Sequence, residues 1–207
     1  MWSSVISIWR RYGLRGIACK VRDKALRVMG LDLQQMDLLA HRIEERPDEH
    51  ALPPYRELFW EDFEAHRGDD PAWFTEEKMA KIARWFRPPG TRAFGCFVEG
   101  RLVAYGWTSE CYLGYSKRTL REGDGYLWDG YTHPDFRGQG WHGALIRIRE
   151  EELRRAGKRR ALTLVADFNR ASRRGFQRNG YTPLERCCFG RRWGRAFSTM
   201  TYPDTKN

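Results

Sequence analysis

The sequence lacks several features that would place it outside the cytoplasm. It has no hydrophobic run approaching the ~20 residues that a membrane-spanning helix needs. Arg10, Arg11 and Arg15 interrupt the N-terminal stretch where a secretory signal would need its apolar core. The five cysteines are odd in number and follow neither a disulfide nor a metal-binding spacing. These absences favour a reduced, cytoplasmic protein without a metal site, and no internal repeat or low-complexity tract suggests otherwise.

What is present is a globular composition with an uneven charge. The 207 residues are 41% hydrophobic and 14% aromatic, enough for one substantial domain and an appendage. The net charge of +10 divides into +6 for residues 1–30, −9 for residues 31–80 and +13 for residues 81–207. This division suggests two ligands of opposite sign, or an anionic ligand with a cationic substrate. Charges that only solvate the surface would give the same pattern.

The chain is expected to consist of an extension, residues 1–30, and a domain, residues 31–207. Trp2, Ile6 and Trp9 recur at helical spacing among basic residues, which predicts a basic amphipathic helical extension. Such a segment could lie peripherally on an anionic membrane, or it could dock on its own domain.

The domain is predicted to be α/β, with a mostly antiparallel sheet of about six to seven strands and about four flanking helices. Residues 126–166 read as a strand–helix–strand unit, so strands 126–132 and 161–166 should form a central parallel pair. The other predicted strands are 31–39, 92–98, 102–109, 181–189 and 195–202. The predicted helices are 55–66, 75–86, 141–156 and 169–179.

The most informative motif follows strand 126–132. A glycine-rich loop, Arg137-Gly-Gln-Gly140, leads into a helix that opens at about Trp141. Glycines let backbone N–H groups converge, and the helix dipole adds partial positive charge, so a ligand with a pyrophosphate fits this device. Gly138-x-Gly140-x-x-Gly143 also matches the dinucleotide fingerprint, and Asp167 stands at about the position of the ribose-binding acid. However, only 64 residues follow Gly143, too few for the remaining units of a doubly wound domain.

These residues resemble the GNAT superfamily of acetyl-CoA-dependent N-acyltransferases over about residues 31–202. The family's loop pattern, Arg/Gln-x-x-Gly-x-Gly/Ala, reads Arg137-Gly-Gln-Gly140-Trp-His142 here, with histidine at the last position. The family's later pattern, Asn-x-x-Ala/Ser-x-x-x-Tyr-x-x-x-Gly-Phe, begins at Asn169 and ends at Tyr181. Its spacing is kept, but Phe176 stands at the tyrosine position.

The resemblance implies an acyl-CoA donor, with the pyrophosphate on the loop and the pantetheine arm beside the preceding strand and the later helix. His142 could either crowd the phosphates or donate to one of them. The implied donor-binding residues are Tyr131, Thr132, His133, Arg137, Gly138, Gln139, Gly140, Trp141, His142, Asn169, Ser172 and Phe176.

Acylation of an amine needs a base for the amine and a proton for the leaving thiolate. Asp129 is the candidate base, although it could instead pair structurally with an arginine. Strand alternation predicts that Asp129, Tyr131 and His133 share one face, opposite Trp128 and Thr132. Because Phe176 cannot supply a proton, Tyr181 or a water could serve. Alternatively, the thiolate leaves unprotonated, which a free-thiol pKa near ~8.5 permits, or the protein binds donor without turnover.

The acceptor is expected to be the primary amine of a cationic small molecule, such as an amino sugar, a polyamine or a lysine-like group. Aromatic residues of the acidic region could form a stacking wall for it, or they could simply belong to the core. They are Trp60, Trp73, Trp85 and Phe86.

The alternatives are an acyl-CoA- or acyl-carrier-protein-binding module and a basic protein that binds membrane or nucleic acid. An acyl-carrier protein would suit the basic half as donor. Nucleic acid is not expected, because the basic cluster 154–160 follows Glu150-Glu-Glu152 on one helix, which is typical of a solvated face. A homodimer is compatible with the sequence, which does not fix the oligomeric state.

Overall fold

A computed structural model describes residues 21, 31–43, 52–113, 118–192 and 195–202. The predicted extension 1–30 lies outside the described residues except for Val21, so its role stays a prediction. None of the described helices is long and apolar enough to cross a membrane.

Between residues 31 and 202, the described ranges contain ten strands and four α-helices. The strands are β1 (Leu31–Arg42), β2 (Tyr55–Leu58), β3 (Thr91–Val98), β4 (Arg101–Ser109), β5 (Tyr112–Leu113), β6 (Arg118–Thr119), β7 (Asp124–Thr132), β8 (Arg160–Ala166), β9 (Thr182–Arg192) and β10 (Arg195–Ser198). The helices are α1 (Trp60–Ala65), α2 (Glu76–Trp85), α3 (Trp141–Arg155) and α4 (Arg170–Arg178), with 3₁₀ turns at Arg67–Asp69 and Pro134–Phe136.

The chain divides into two compact units. The middle unit is His41–Thr163, and the terminal unit comprises Met1–Ala40 and Leu164–Asn207. In the middle unit the strand order is β8-β7-β4-β3-β2. Strands β7 and β8 pair in parallel from Asp124↔Arg160 to Leu127↔Thr163, and the other pairs are antiparallel. The predicted parallel pair and the mixed, mostly antiparallel α/β fold are therefore confirmed.

In the terminal unit, β9 pairs antiparallel with both β1 and β10. A register shift between Leu38 and Leu39 interrupts the β1–β9 ladder. Buried Asp37 lies within 2.5 Å of Arg173 Nη2 and 3.0 Å of Arg186 Nε, so two arginines neutralise the carboxylate on this strand.

Local sequence explains where the elements of the middle unit begin and turn. Thr75 caps α2 by accepting from the Lys78 backbone N–H at 3.2 Å. Glu99 and Gly100 both have positive φ, +48° and +77°, which is the conformation of the tight hairpin turn between β3 and β4. Gly157, with φ +77°, ends α3 by donating to the Arg154 carbonyl at 2.9 Å.

The core of the middle unit has two parts that alternate along β3 and β4. Helices α1 and α2 contribute Phe63, Met79 and Ile82 to an aromatic-rich cluster with Tyr105 and Trp107. The second cluster combines the neighbouring strand positions with apolar residues of α3: Phe94, Val103, Ala104, Leu145 and Ile148. Ala93 and Phe94 belong to opposite clusters, as do Ala104 and Tyr105, and helices cover both faces of this sheet.

The helix predicted over residues 55–66 is wrong at its start. Tyr55–Leu58 forms β2, an edge strand paired with β3 from Tyr55↔Cys96 to Leu58↔Ala93. The helix begins only after Phe59, whose backbone N–H donates to Asp62 Oδ2 at 2.8 Å. Strand pairing therefore overrides the helical spacing of the first four residues. Strand β2 and the short β5–β6 pair account for the three strands beyond the seven predicted segments.

We expect Phe63→Ala to lower the free energy of unfolding by about 3–5 kcal/mol, because the deletion leaves a cavity in the core. Phe63 is 0% exposed and its ring lies 5.0 Å from Tyr105 and 5.8 Å from Trp107. Phe59→Ala is the matched control, since Phe59 is 58% exposed, and it should change stability little. Urea denaturation measures both; equal losses would contradict the packing described.

Candidate active site

The loop after β7 leaves backbone facing open space at the start of α3. Gly138 and Gly140 have φ of +80° and +86°, and a Cβ built on either would meet no atom within 4 Å. Gly140 is the N-cap of α3 and has no side-chain cap. The first backbone N–H groups of a helix need partners, and the helix dipole favours a negative one. Backbone N–H groups at this helix N-terminus are therefore of the kind that can hydrogen-bond an anion.

Hydrogen bonds to the backbone hold this loop in place. Arg137 Nε donates to the Thr132 carbonyl at 3.2 Å, and Gln139 Nε2 donates to the Asp135 carbonyl at 3.2 Å. Trp141 Nε1 lies 3.4 Å from Gln139 Oε1. The guanidinium of exposed Arg137 is thus tethered beside the glycines, where its charge can add to that of the helix end.

His133 serves the loop through its side chain. Its ring is buried, with Nε2 3.1 Å from the Asp69 carbonyl and Nδ1 accepting from the Asp135 N–H at 3.3 Å. Its backbone N–H donates to the Val103 carbonyl at 2.8 Å. The predicted contact of the pantetheine arm with the strand backbone at His133 stays a prediction.

The side chain of His142 is partly buried and lies towards Gly130 rather than over Gly138 and Gly140. Its Cε1 is 3.8 Å from the position of a Cβ on Gly130. Burial, with a smaller contribution from the charge of Arg149, lowers the pKa of His142 to about 4. At neutral pH the ring is therefore uncharged, and it does not crowd the space over Gly138 and Gly140.

A β-bulge interrupts β7 just before the loop. Tyr105 pairs with Tyr131 and Trp107 with Trp128, so Asp129 and Gly130 together oppose one residue of β4. Asp129 has φ +47°, a conformation that costs a non-glycine residue of order 1–3 kcal/mol. The alternation expected along β7 is wrong at this point, because Trp128 and Tyr131 pack against the same aromatic cluster.

The guanidinium of Arg149 supports the bulge from α3. It is fully buried, and its Nη1 donates to the Trp128 carbonyl at 3.1 Å and the Trp107 carbonyl at 3.4 Å. Its Nε donates to the Leu145 carbonyl at 3.1 Å. A Cβ on Gly106 would lie 2.7 Å from Nη1, so glycine is needed opposite the bulge.

The side chain of Asp129 lies on the α2 side of the sheet, in a compact charged group. Lys78 Nζ is 2.5 Å from Asp129 Oδ1, and Tyr105 Oη donates to Oδ2 at 3.3 Å. The same ammonium lies 4.5 Å from the ring of Trp73 and 4.7 Å from the ring of Trp85. Burial and the Asp129 charge raise the pKa of Tyr105 well above its usual value, so the phenol stays protonated.

Two further contacts extend this group to the segment that precedes α2 and to β7. Trp73 Nε1 donates to Tyr105 Oη at 2.9 Å, and Tyr131 Oη donates to Asp70 Oδ2 at 2.7 Å. The four aromatic residues predicted as wall or core are partly buried and pack against the core cluster. Asp129 and Tyr131 were predicted from the sequence, whereas Lys78 and Tyr105 were not, because their separation along the chain hides their proximity.

The remaining predicted residues belong to the terminal unit. Asn169 Oδ1 accepts from the Ser172 N–H at 3.2 Å and caps α4. The rings of Phe176 and Tyr181 are both buried and meet edge to face, with centroids 4.8 Å apart. The asparagine of the later motif thus begins α4, and its aromatic positions pack against each other.

No group of three or more histidine, cysteine or acidic side chains within the described ranges is arranged to hold a metal ion.

A family model for the acetyltransferase (GNAT) family matches residues 52–181. The chain belongs to this family. The resemblance noted in the sequence is thereby confirmed, and the match includes the bulge, the loop and both motifs. No curated protein matches the GNAT chain significantly.

Solved structures share the fold. An acetyltransferase from the GNAT family of Colwellia psychrerythraea superposes with a TM-score of 0.58 at 16% identity, covering 80% of this chain and 59% of that one. A protein from Drosophila gives 0.54 at 15% identity, covering 86% and 58%. Aminoglycoside N-acetyltransferase AAC(6')-Iy in complex with CoA gives 0.50 at 17% identity, covering 64% and 93%. The chain thus spans about three fifths of the length of the first two.

The depressed pKa of His142 predicts a pH dependence of stability. The pKa of His142 is 6.5 in the unfolded chain and about 4 in the folded protein. At a pH between these two values, the ring binds a proton in the unfolded chain but not in the folded protein. The free energy of unfolding should therefore fall by up to about 3 kcal/mol as the pH drops through this range. His142→Gln should remove that component.

Urea denaturation of both proteins between pH 7 and pH 4 measures the difference, because other titrating groups contribute equally to each. Parallel pH profiles for the two proteins would show that folding does not lower the pKa of His142.

Proposed function

We propose that this GNAT protein transfers an acetyl or short acyl group from acyl-CoA to a primary amine of a small cationic molecule. The observation that carries the proposal is the open glycine loop at the N-terminus of α3, directly after the bulged strand β7.

The donor half follows from the chemistry of that loop. A diphosphate needs several hydrogen-bond donors and positive charge in one place, and helix N-termini with glycine-rich loops supply both. The first turn of α3 offers the N–H groups, and Arg137 offers a charge tethered at the Thr132 carbonyl. The CoA in the aminoglycoside enzyme supports this donor class. Asn169, Ser172 and Phe176 remain proposed contacts to the pantetheine arm.

The proposed amine acceptor is supported by the carboxylates and aromatic rings on the α2 side of the sheet. Asp129 and Asp70 bring carboxylates, and Trp73 and Trp85 present ring faces to a cation. Carboxylates with indole faces recognise an ammonium group. An amino sugar or a polyamine carries such a group, which also suits the net charge of −9 over residues 31–80.

Asp129 is the proposed base. Its carboxylate belongs to the bulge, two residues before Tyr131, and we propose that the pantetheine arm runs along Tyr131 and Thr132. Tyr181 remains the proposed source of a proton for the thiolate. Because its ring is buried against Phe176, we propose that transfer also proceeds when the thiolate leaves unprotonated.

We expect Gly140→Ala to weaken the binding of acetyl-CoA at least tenfold, because the new Cβ enters the phosphate space and the left-handed backbone strains. Gly157→Ala is the matched control. It lies at the other end of α3, with φ +77° and equally open surroundings, so it carries the same strain without touching the loop.

Calorimetric titration with acetyl-CoA measures both affinities, and thermal unfolding measures both stabilities. Equal affinities for the two variants would remove the basis for placing the donor at this loop.

We expect Asp129→Asn to lower kcat by about 10²–10⁴-fold with little change in donor affinity, because the amide cannot accept the amine proton. Asparagine suits the left-handed φ of +47° at this position. Glu77→Gln, which changes an exposed carboxylate on α2, is the control. Release of CoA thiol with a panel of amino sugars and polyamines gives the rates; a kcat near that of the unchanged protein would exclude Asp129 as the base.

A further inference from the structure

The side-chain amine of Lys78 already lies where the amine of the proposed acceptor would bind. Its Nζ lies 2.5 Å from the proposed base and within 4.7 Å of two indole rings. The side chain is 13% exposed, so the ammonium is held by the group rather than by solvent. An ammonium, a carboxylate and two aromatic faces are the elements of a recognised cationic acceptor.

The backbone places this amine beside the donor strand. Asp129 lies two residues before Tyr131, so their backbones are at most roughly 7 Å apart, the span of two fully extended residues. The four-carbon stem of lysine is flexible, so Nζ can move relative to Asp129 while the backbone of α2 stays in place. The capped first turn of α2 fixes the base of that stem, because Thr75 accepts from the Lys78 N–H.

We infer that Lys78 is an intramolecular acyl acceptor, so that the protein acetylates its own Lys78 from acetyl-CoA. The inference depends on the proposed donor site, since the thioester must approach β7 from the glycine loop.

The step balances with groups present in the site and the donor. The ammonium of Lys78 gives one proton to Asp129 Oδ1, and the resulting amine attacks the thioester carbonyl. A C–N bond forms and the C–S bond breaks, so the sulfur leaves with the bonding pair. A second nitrogen proton reaches the thiolate, and Asp129 releases the first to solvent. The products are an amide on Lys78, CoA thiol and one proton.

Acetylation would change the acceptor side of the site. The amide has no charge, so the ion pair with Asp129 and the cation–π contacts with Trp73 and Trp85 would be lost. Asp129 would then face an incoming amine without a competing internal ammonium. Acetylation of Lys78 by the donor would thus decide whether Asp129 is available to an incoming amine.

The test incubates the full-length protein with acetyl-CoA and maps acetylated peptides by mass spectrometry. We expect one acetyl group, on Lys78. Lys81 provides an internal control on the same helix: it is 52% exposed and pairs with Glu77, so chemical acetylation from solvent would favour it. Modification of Lys81 at the same or a greater rate would overturn the inference.

Three variants sharpen the result. Lys78→Arg keeps a cation beside Asp129 but should take up no acetyl group, whereas Lys81→Arg should be acetylated at the rate of the unchanged protein. Asp129→Asn should slow uptake at least tenfold, as expected for loss of a base.

The inference and the proposed function fail differently. Calorimetric binding of acetyl-CoA and transfer to an added amine, with Lys78 unmodified, would overturn the inference alone. Absence of donor binding and of transfer would overturn both.

Discussion

The buried guanidinium of Arg149 is the interaction on which the geometry of this site depends. A charge taken out of water costs several kcal/mol unless the protein supplies polar partners. Arg149 finds carbonyl oxygens of β4, β7 and its own helix, and these contacts connect α3 to the bulge. Glycine at position 106 makes room for the group, and the same charge helps to keep His142 neutral. One side chain thus connects the helix that begins at the loop with the strand that carries Asp129.

The two sides of β7 in the middle unit have different electrostatic characters. On one side, the N-terminus of α3 and the side chain of Arg137 offer hydrogen-bond donors and positive charge to an anion. On the other side, Asp129 and the aromatic rings surround a cation, the ammonium of Lys78. Only a few residues of the chain lie between the bulge at Asp129 and Gly130 and the glycine loop that begins at Gly138. An acyl transfer between an anionic donor and a cationic acceptor needs this proximity.

Much of the fold followed from local patterns. The βαβ unit, the hairpin at Glu99–Gly100 and the caps of α2 and α3 each depend on neighbours in sequence, and the structure contains all of them. The pattern failed at residues 55–58, where pairing with β3 decided the conformation. The expected alternation of β7 was also wrong at Trp128, because the bulge brings Trp128 and Tyr131 to the same face of the sheet. In both places contacts with a distant strand outweighed local spacing.

The glycine loop, its helix and the family resemblance were determined by the sequence alone, because backbone conformation and helix capping act over a few residues. The arginine at position 149 stands among apolar helix positions, which signals a buried charge but not its partners. Only the tertiary structure decided that Lys78 meets Asp129, 51 residues away, and that Arg149 lies beneath the bulge. These contacts require elements far apart in the chain to pack together, and no local pattern encodes that packing.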